Sequence, residues 1–432
     1  MKYDILSTNA RRAMLAGASL AAMLALSPAL AQDASGELII LNWQGGIALE
    51  MWQELEADFI AKNPNVTIKE LNTTAPSGGD ARGGIRTALL GGEVVDIIIN
   101  TWPAFRAELA DAGIVAPLDE QWTARGWDQL LSESWFDMGK ADGQFYGLTY
   151  TYGDRSGIWY KTAHFENAGL EPPKTWDEFI ASFDKLKAAG YATPVGIGAK
   201  VWPHAEWFES LLVRTAGVET ATKLATHEIP WTDPAVKGAL KKYADMLNAG
   251  CCGDPNVMYA NNWDVAADNI FKGDSSNYLL IGMWANGRLT NDYGLKEGED
   301  YSLLQFPALG MGHDDTSMVD TKELLVTANA PNPDAAYAFL DYILSADAAK
   351  ILSEYGLASP SASADTSLLG PVQQIATEAV NSSKVQFVLG DLLPGDLVDE
   401  YRVQLQKFLA DPSDASIDAV TAAIEAKAAE AY

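Results

Sequence analysis

Four tryptophans stand just beyond strand-like apolar runs. ELIILN runs into Trp43, VVDIIIN into Thr101 and Trp102, TPVGIGAKV into Trp202, and NYLLIGM into Trp284. Aliphatic and β-branched runs of this length read as buried parallel strands. The space past the carboxyl ends of such strands is where ligands meet open α/β sheets. An indole placed there offers a flat apolar face with a polar edge. The stretches around the four are rich in hydrogen-bonding residues: NWQGG, INTWPAF, KVWPHAEWF and GMWANGR. An apolar plate beside amides, carboxylates, Arg and His suits a pyranose, whose C–H faces stack and whose hydroxyls donate and accept. Trp52, Trp176, Trp207 and Trp263 fall within or at the start of helices and are read as packing.

The elements that must hold these residues alternate along the chain. After ELIILN, the stretch ALEMWQELEADFIAKN sets Leu49, Trp52, Leu55 and Phe59 on one helical face. NVTIKEL is a strand, SGGDARGG leads to a short helix, VVDIIIN is a strand, and PAFRAELADAG is a helix opened by Pro103. Strand, helix, strand in this order makes parallel sheet with right-handed crossovers. A second α/β set follows QFYGLTYTYGDRSGIWY. Its first helix carries a capping box, Thr175 with Glu178 three residues on. TPVGIGAKV and SNYLLIGM are its strands, and YSLLQFPAL and TKELLVTAN look like two more.

Composition narrows the function classes. The 432 residues suffice for two α/β lobes. Arg11 and Arg12 precede the apolar run AMLAGASLAAMLAL, then Pro28 and Ala29-Leu30-Ala31. This is the layout of a cleavable export signal, by the general secretory or the twin-arginine route. No cysteine follows the cleavage site, so no lipid anchor is expected. The net charge is −28; the first 31 residues contribute +2, which leaves −30 for the rest. Such a field repels phosphate backbones and anionic headgroups, which argues against nucleic acid and membrane surfaces as partners. The two cysteines are adjacent, Cys251 and Cys252. A vicinal disulfide and two free thiols on a turn both remain open. There is no H-E-x-x-H, G-x-S-x-G, Walker or dinucleotide motif, and the four histidines are scattered. No enzyme, cofactor or metal site is therefore expected, although 58 acidic residues leave room for a carboxylate pair.

At this point the residues resemble a family. GQFYGLTYTYGDRSGIWYKTAHFENAGLEPPKTWDEFIASFDKLKAAG is similar to the interlobe segment of the carbohydrate-binding solute-binding proteins of ABC importers, the family that includes maltose-binding protein. The A-G-L-x-P-P-x-T-W-x-E-F part is intact from Ala168 to Phe179, while Thr149 replaces a proline of the preceding part. NYLLIGMWANG resembles the family's M-x-x-x-G-x-W-A, and NPDAAYAFLDYILSADAAKIL its N-P-E-A-A-x-x-F-L helix. VVDIIINTWPAFRAELADAGIVAPLDE resembles a further segment, with Val95 in place of a proline.

The resemblance implies an α/β, bilobal periplasmic binding protein fold, two mixed-sheet lobes joined by a hinge. It implies a signal peptide over 1–31, lobe one from 32–148 and 316–362, and lobe two from 149–315 and 363–432. It implies a monomer that binds a di- or oligosaccharide or glycoside in the interlobe cleft and docks on membrane permease subunits. By position, Trp284 matches the family's stacking tryptophan. Trp43 and Gln44 match its first-strand loop, Thr101 and Trp102 the loop after the second lobe-one strand. Trp202 and His204 match a cleft-wall aromatic segment. Asp320, Thr321 and Lys322 stand where the family has a small glycine turn, a polar ligand contact or a hinge salt bridge. Arg82, Asp154 and Arg155 flank the cleft positions. Two other readings stay open: a secreted carbohydrate-active enzyme, and a binder of a polyol phosphate or acidic sugar using Arg82, Arg155 and Arg288.

Overall fold

The computed structural model describes residues 34–73, 81–131, 135 and 137–432. The expected signal peptide, with its cleavage point near Ala31, and the first half of the Gly-rich stretch at 77–84 lie outside the described residues. The strands in chain order are β1 (Gly36–Asn42), β2 (Val66–Asn72), β3 (Ile97–Asn100), a small hairpin of β4 (Lys140–Ala141) and β5 (Gln144–Phe145), β6 (Gly147–Asp154), β7 (Ile158–Lys161), β8 (Thr193–Gly196), β9 (Ser276–Leu280), β10 (Tyr301–Leu304), β11 (Thr316–Val326) and β12 (Lys384–Phe387). Among the described residues no helix is long and apolar enough to cross a membrane.

Two larger sheets result. In the first, β1 runs parallel to β2 on one side and to β3 on the other. β11 is the strand that completes it. Its last residues, Glu323–Val326, lie antiparallel to β3, and its first, Thr316–Val319, lie parallel to β12. Along its other edge β6 pairs antiparallel from Val319 to Leu325, with a bulge between Lys322 and Glu323. Asp320, Thr321 and Lys322 thus pair with β6 alone. The second sheet has the order β10-β7-β9-β8. Chain connectivity makes β6 the exit from the first sheet towards the second and β11 the return. The sequence suggested a strand from Thr321; the strand begins five residues earlier because β12, and then β6, pair with those first residues.

Period-two alternation explains why both faces of each sheet are dry. Ile97 and Ile99 of β3 join Ile40 of β1 in one core, while Ile98 and Leu41 point into the other. In the second sheet Ile158 and Tyr278 face one core, and Trp159 and Leu279 the opposite one. Helices cover all four faces. The helix Trp176–Ala188 begins with the expected capping box, Thr175 accepting from the Glu178 N–H and Glu178 accepting from the Thr175 N–H. Cys251 and Cys252 are joined as a vicinal disulfide in the turn after the helix Pro234–Asn248, and both are buried.

Asp96 interrupts the apolar run VVDIII for a structural reason. It is fully buried, and its carboxylate accepts from the Ile39 N–H at 2.7 Å and the Asn332 N–H at 2.5 Å. One side chain therefore closes the start of the β1–β3 pairing and fixes the residue that caps the helix Pro333–Ile343. Asp96→Ala leaves two buried donors unmatched, at an expected cost of about 2–4 kcal/mol. Urea unfolding of a variant with unchanged circular dichroism measures this; a loss under about 1 kcal/mol would contradict the assignment.

Candidate ligand-binding site

The four tryptophans gather into two groups, one at the edge of each sheet. Trp43 follows β1 directly, and Trp102 caps the helix Pro103–Asp111 that leaves β3. Their rings lie 5.0 Å apart, tilted by 43°. The buried Arg82 guanidinium stands 5.7 Å from the Trp102 ring, within the range of a cation–π contact. Gln44 and Thr101 pin these loops to the long strands. Gln44 Nε2 donates to the Tyr150 hydroxyl of β6 at 3.2 Å, and the Thr101 hydroxyl donates to the Thr321 carbonyl of β11 at 2.7 Å. Gln44 Oε1 is buried with no partner among the described residues.

The second group forms at the other sheet. Trp202 caps the helix Pro203–Ala216, and Trp284 caps the short helix Ala285–Gly287. Their rings meet edge to face at 5.9 Å. Trp263, read from sequence as packing, joins them at 6.1 Å from Trp284. The reason lies in β8, which stops at Gly196 where the sequence suggested a strand to Val201. The chain then leaves the sheet and runs along residues 258–263. Ala199 and Lys200 donate to the carbonyls of Met258 and Asn261, and a Cβ on Gly198 would come within 2.5 Å of the Asn262 carbonyl carbon. Trp284 folds back over its own strand end, so that a Cβ on Gly282 would come within 2.0 Å of its ring.

Charged groups stand directly behind this second group. The Arg155 guanidinium is 4.5 Å from the Trp284 ring and 5.3 Å from that of Trp202. It is ion-paired with Glu206 and lies 3.6 Å from Asp320. Lys322 is 3.3 Å from Asp320 and 5.6 Å from the Trp284 ring. Arg288 lies 5.6 Å from the Trp263 ring and is paired with Asp268 at 3.1 Å. These cations are each matched by a carboxylate before any ligand arrives.

His204 and Asp154 are committed elsewhere. His204 is fully buried, and its Nε2 donates to the Arg402 carbonyl at 2.9 Å. Burial pushes its pKa down to about 4. Asp154 accepts from the Ser156 N–H at 2.9 Å and the Ser317 hydroxyl at 2.7 Å, and burial raises its pKa. Asp154 serves the start of β11 and His204 the packing on the helix Gly395–Ala410, and among the described residues neither makes a ring contact with a tryptophan group. The helix carrying His204 also carries Glu206 and Glu209. Glu209 accepts from the N–H groups of Leu389 and Gly390 at 2.7 and 3.3 Å and from the Tyr401 hydroxyl at 3.0 Å. That fixes the turn bearing Asp391, a residue with no signal in the sequence. Burial lifts the Asp391 carboxyl to about 7, against the opposing charges of Arg155, Arg402 and Arg82 and with the help of Asp320. Among the described residues no group of three or more His, Cys, Asp or Glu side chains is placed to hold a metal.

Comparison with known proteins agrees with this architecture. Residues 47–350 match the model of the bacterial extracellular solute-binding proteins. The chain belongs to this family. An uncharacterized ABC transporter extracellular-binding protein of Pyrococcus horikoshii is 27% identical over 398 residues, 90% of this chain and 84% of that protein. The alpha-glucosides-binding periplasmic protein AglE of Rhizobium meliloti is 26% identical over 333 residues, 71% of this chain and 70% of that protein. Among solved structures, the bacterial solute receptor AcbH, described as exclusively preferring β-D-galactopyranose, superposes with a TM-score of 0.81. It is 19% identical and covers 92% of this chain and 99% of its own. This solute-binding protein therefore has the bilobal α/β fold of its neighbours, each lobe built on a mixed sheet.

His204 makes the stability of this solute-binding protein sensitive to acid. Its folded pKa of about 4 lies below the ordinary 6.5, so its contribution is whole above 6.5 and is lost as the pH falls towards 4. The shift corresponds to about 3 kcal/mol. His204→Gln removes the titration, so the melting-temperature gap to the unaltered protein should be widest near neutral pH and narrow towards about pH 4.5. A gap that stays constant over that range would rule out a buried neutral imidazole.

Proposed function

We propose that this protein is the sugar-binding component of an ABC importer, exported to the periplasm with its signal peptide removed near Ala31. It binds a di- or oligosaccharide or a glycoside between its lobes and, as a monomer, passes it to membrane permease subunits. Lobe one consists of residues 32–148 and 316–362, lobe two of 149–315 and 363–432. The observation that carries this reading is the pair of aromatic groups at strand ends, Trp43 with Trp102 and Trp202 with Trp284. Their rings supply faces for pyranose stacking from both sheets. The relative that binds alpha-glucosides supports the same ligand class.

The charge pattern favours a neutral sugar over a phosphate or an acidic sugar. Arg155, Lys322 and Arg288 already have carboxylate partners. An added anion would displace those partners or meet Asp320 at close range. A neutral polyol needs no such exchange, since its hydroxyls can donate to the carboxylates and accept from the cations.

A thermal-shift screen over a panel of neutral and anionic sugars is the direct test. A ligand at 100 times its dissociation constant stabilises by about 2.7 kcal/mol, so a neutral hit should be plain. No shift with any sugar would end the reading. With a hit in hand, Trp284→Ala should weaken binding by about 1–3 kcal/mol and leave the fold intact. Gly282→Ala should do the same by displacing the ring, and equal affinity for all three proteins would remove Trp284 from the site.

Two half-sites on separate sheets are complete only when the lobes come together. Ligand therefore favours the closed state and shifts the population to it. Small-angle scattering should record a smaller radius of gyration with sugar, accompanied by a shift in tryptophan emission. Tight binding by calorimetry with neither change would indicate a rigid pocket.

A further inference from the structure

Asp391 is a buried carboxylate with nothing to hold it. The residue is 6% exposed. Its backbone N–H bonds to the Val388 carbonyl, but among the described residues no hydrogen bond and no ion pair engages its side chain. Buried carboxylates are ordinarily hydrogen-bonded or paired, and one left bare opposes folding. The surroundings do not let it swing away. Glu209 grips the two preceding N–H groups, Leu389 and Gly390, and is itself held by Tyr401. The short helix Leu389–Leu392 packs on the helix Pro103–Asp111, which begins at Trp102.

The charges acting on Asp391 come from both tryptophan groups. They are Arg155, which lies against Trp202 and Trp284; Arg82, which lies against Trp102; Arg402; and Asp320. The chain just beyond it, Pro394 to Asp396, borders a cavity of about 530 Å³ whose opposite wall includes Arg82, Arg86 and Glu108. Small-molecule sites fall in the range of about 300–1,000 Å³. A ligand-sized space thus begins three residues along the chain from Asp391, and Arg82, one of the charges acting on Asp391, lines it.

We infer that Asp391 is a ligand-binding carboxylate that accepts hydrogen bonds from neighbouring hydroxyls of a neutral sugar. The assignment rests on the sugar reading of the cleft. Two carboxylate oxygens suit two adjacent hydroxyls, each of which can donate. A phosphate or carboxylate group would instead bring a further negative charge towards Asp391 and Asp320. The missing partner of the buried carboxylate is then the ligand itself, and the bare state is what the protein tolerates in order to bind.

A structural carboxylate and a ligand-binding one respond oppositely to neutralisation. Asp391→Asn and Asp391→Ala should leave the ligand-free melting temperature unchanged or raised, because a buried unpartnered charge is removed. Affinity for the best sugar of the panel, by calorimetry, should fall about 10- to 100-fold, the usual worth of hydrogen bonds to a charged group. A set of monodeoxy analogues adds an independent reading. One of them should bind the unaltered protein as poorly as the parent sugar binds Asp391→Ala, and should lose nothing further in that variant. If a sugar binds the unaltered protein and the two variants within twofold, the role of Asp391 is refuted and the sugar reading stands. A marked fall in the ligand-free melting temperature would make Asp391 structural and likewise refute it. If no sugar binds the unaltered protein, both readings fall together.

Discussion

The fold turns on one strand that belongs to several partnerships at once. β11 pairs with β12 at its start, with β3 at its end and with β6 along most of its length. Because backbone pairing is directional, that single register places the Trp102 loop, the exit towards the second sheet and the return from it. Side chains lock the end that pairs with β3. Glu323 of β11 accepts from Asn100 at 2.6 Å and pairs with the buried Arg106 at 2.5 Å. A Cβ on Gly147 would strike the same carboxylate, so β6 must carry glycine there. Between the two well-paired ends lie Asp320, Thr321 and Lys322, with a single neighbouring strand and a bulge at their edge. The weakest backbone pairing of the strand thus coincides with Asp320 and Lys322, which pair with each other and reach towards Arg155 and the Trp284 ring.

The helix Pro203–Ala216 plays the complementary part from the other side. Three of its polar side chains are buried and each holds a different part of the structure. His204 meets the Arg402 carbonyl, Glu206 pairs with Arg155, and Glu209 fixes the turn before Asp391. Burying such groups opposes folding unless their partners are well placed. What they achieve in return is a guanidinium held beside Trp202 and Trp284 and a turn before Asp391 held in a set position.

Much of this was legible in the sequence because local pattern and global fold agree. Apolar runs marked the strands, and the tryptophans past them gather in pairs at the strand ends. The polar residues were harder to read. His204 sits two positions after Trp202, but helical geometry turns it into the core, where it serves the fold. Asp154 follows a strand end as the tryptophans do, yet Ser156 and Ser317 take up its carboxylate. Trp263 gave no sign of its neighbours, since its contact with Trp284 depends on where β8 stops, and that is set by a close backbone approach at Gly198. Asp391 was invisible for the same kind of reason. Its significance comes from partners far away in sequence and from the absence of any near it.

Trp284 owes its seat to an atom that is not there. With no Cβ at Gly282, the indole lies flat against the main chain of its own strand end. Its plane is therefore inherited from the backbone and not from the side chains that ring it. Neighbouring positions are at liberty to drift, changing the polar groups around the ring and their directions, while the indole itself keeps its place. On such a scaffold the polar rim can be exchanged with the aromatic plate and the fold beneath it carried over unchanged.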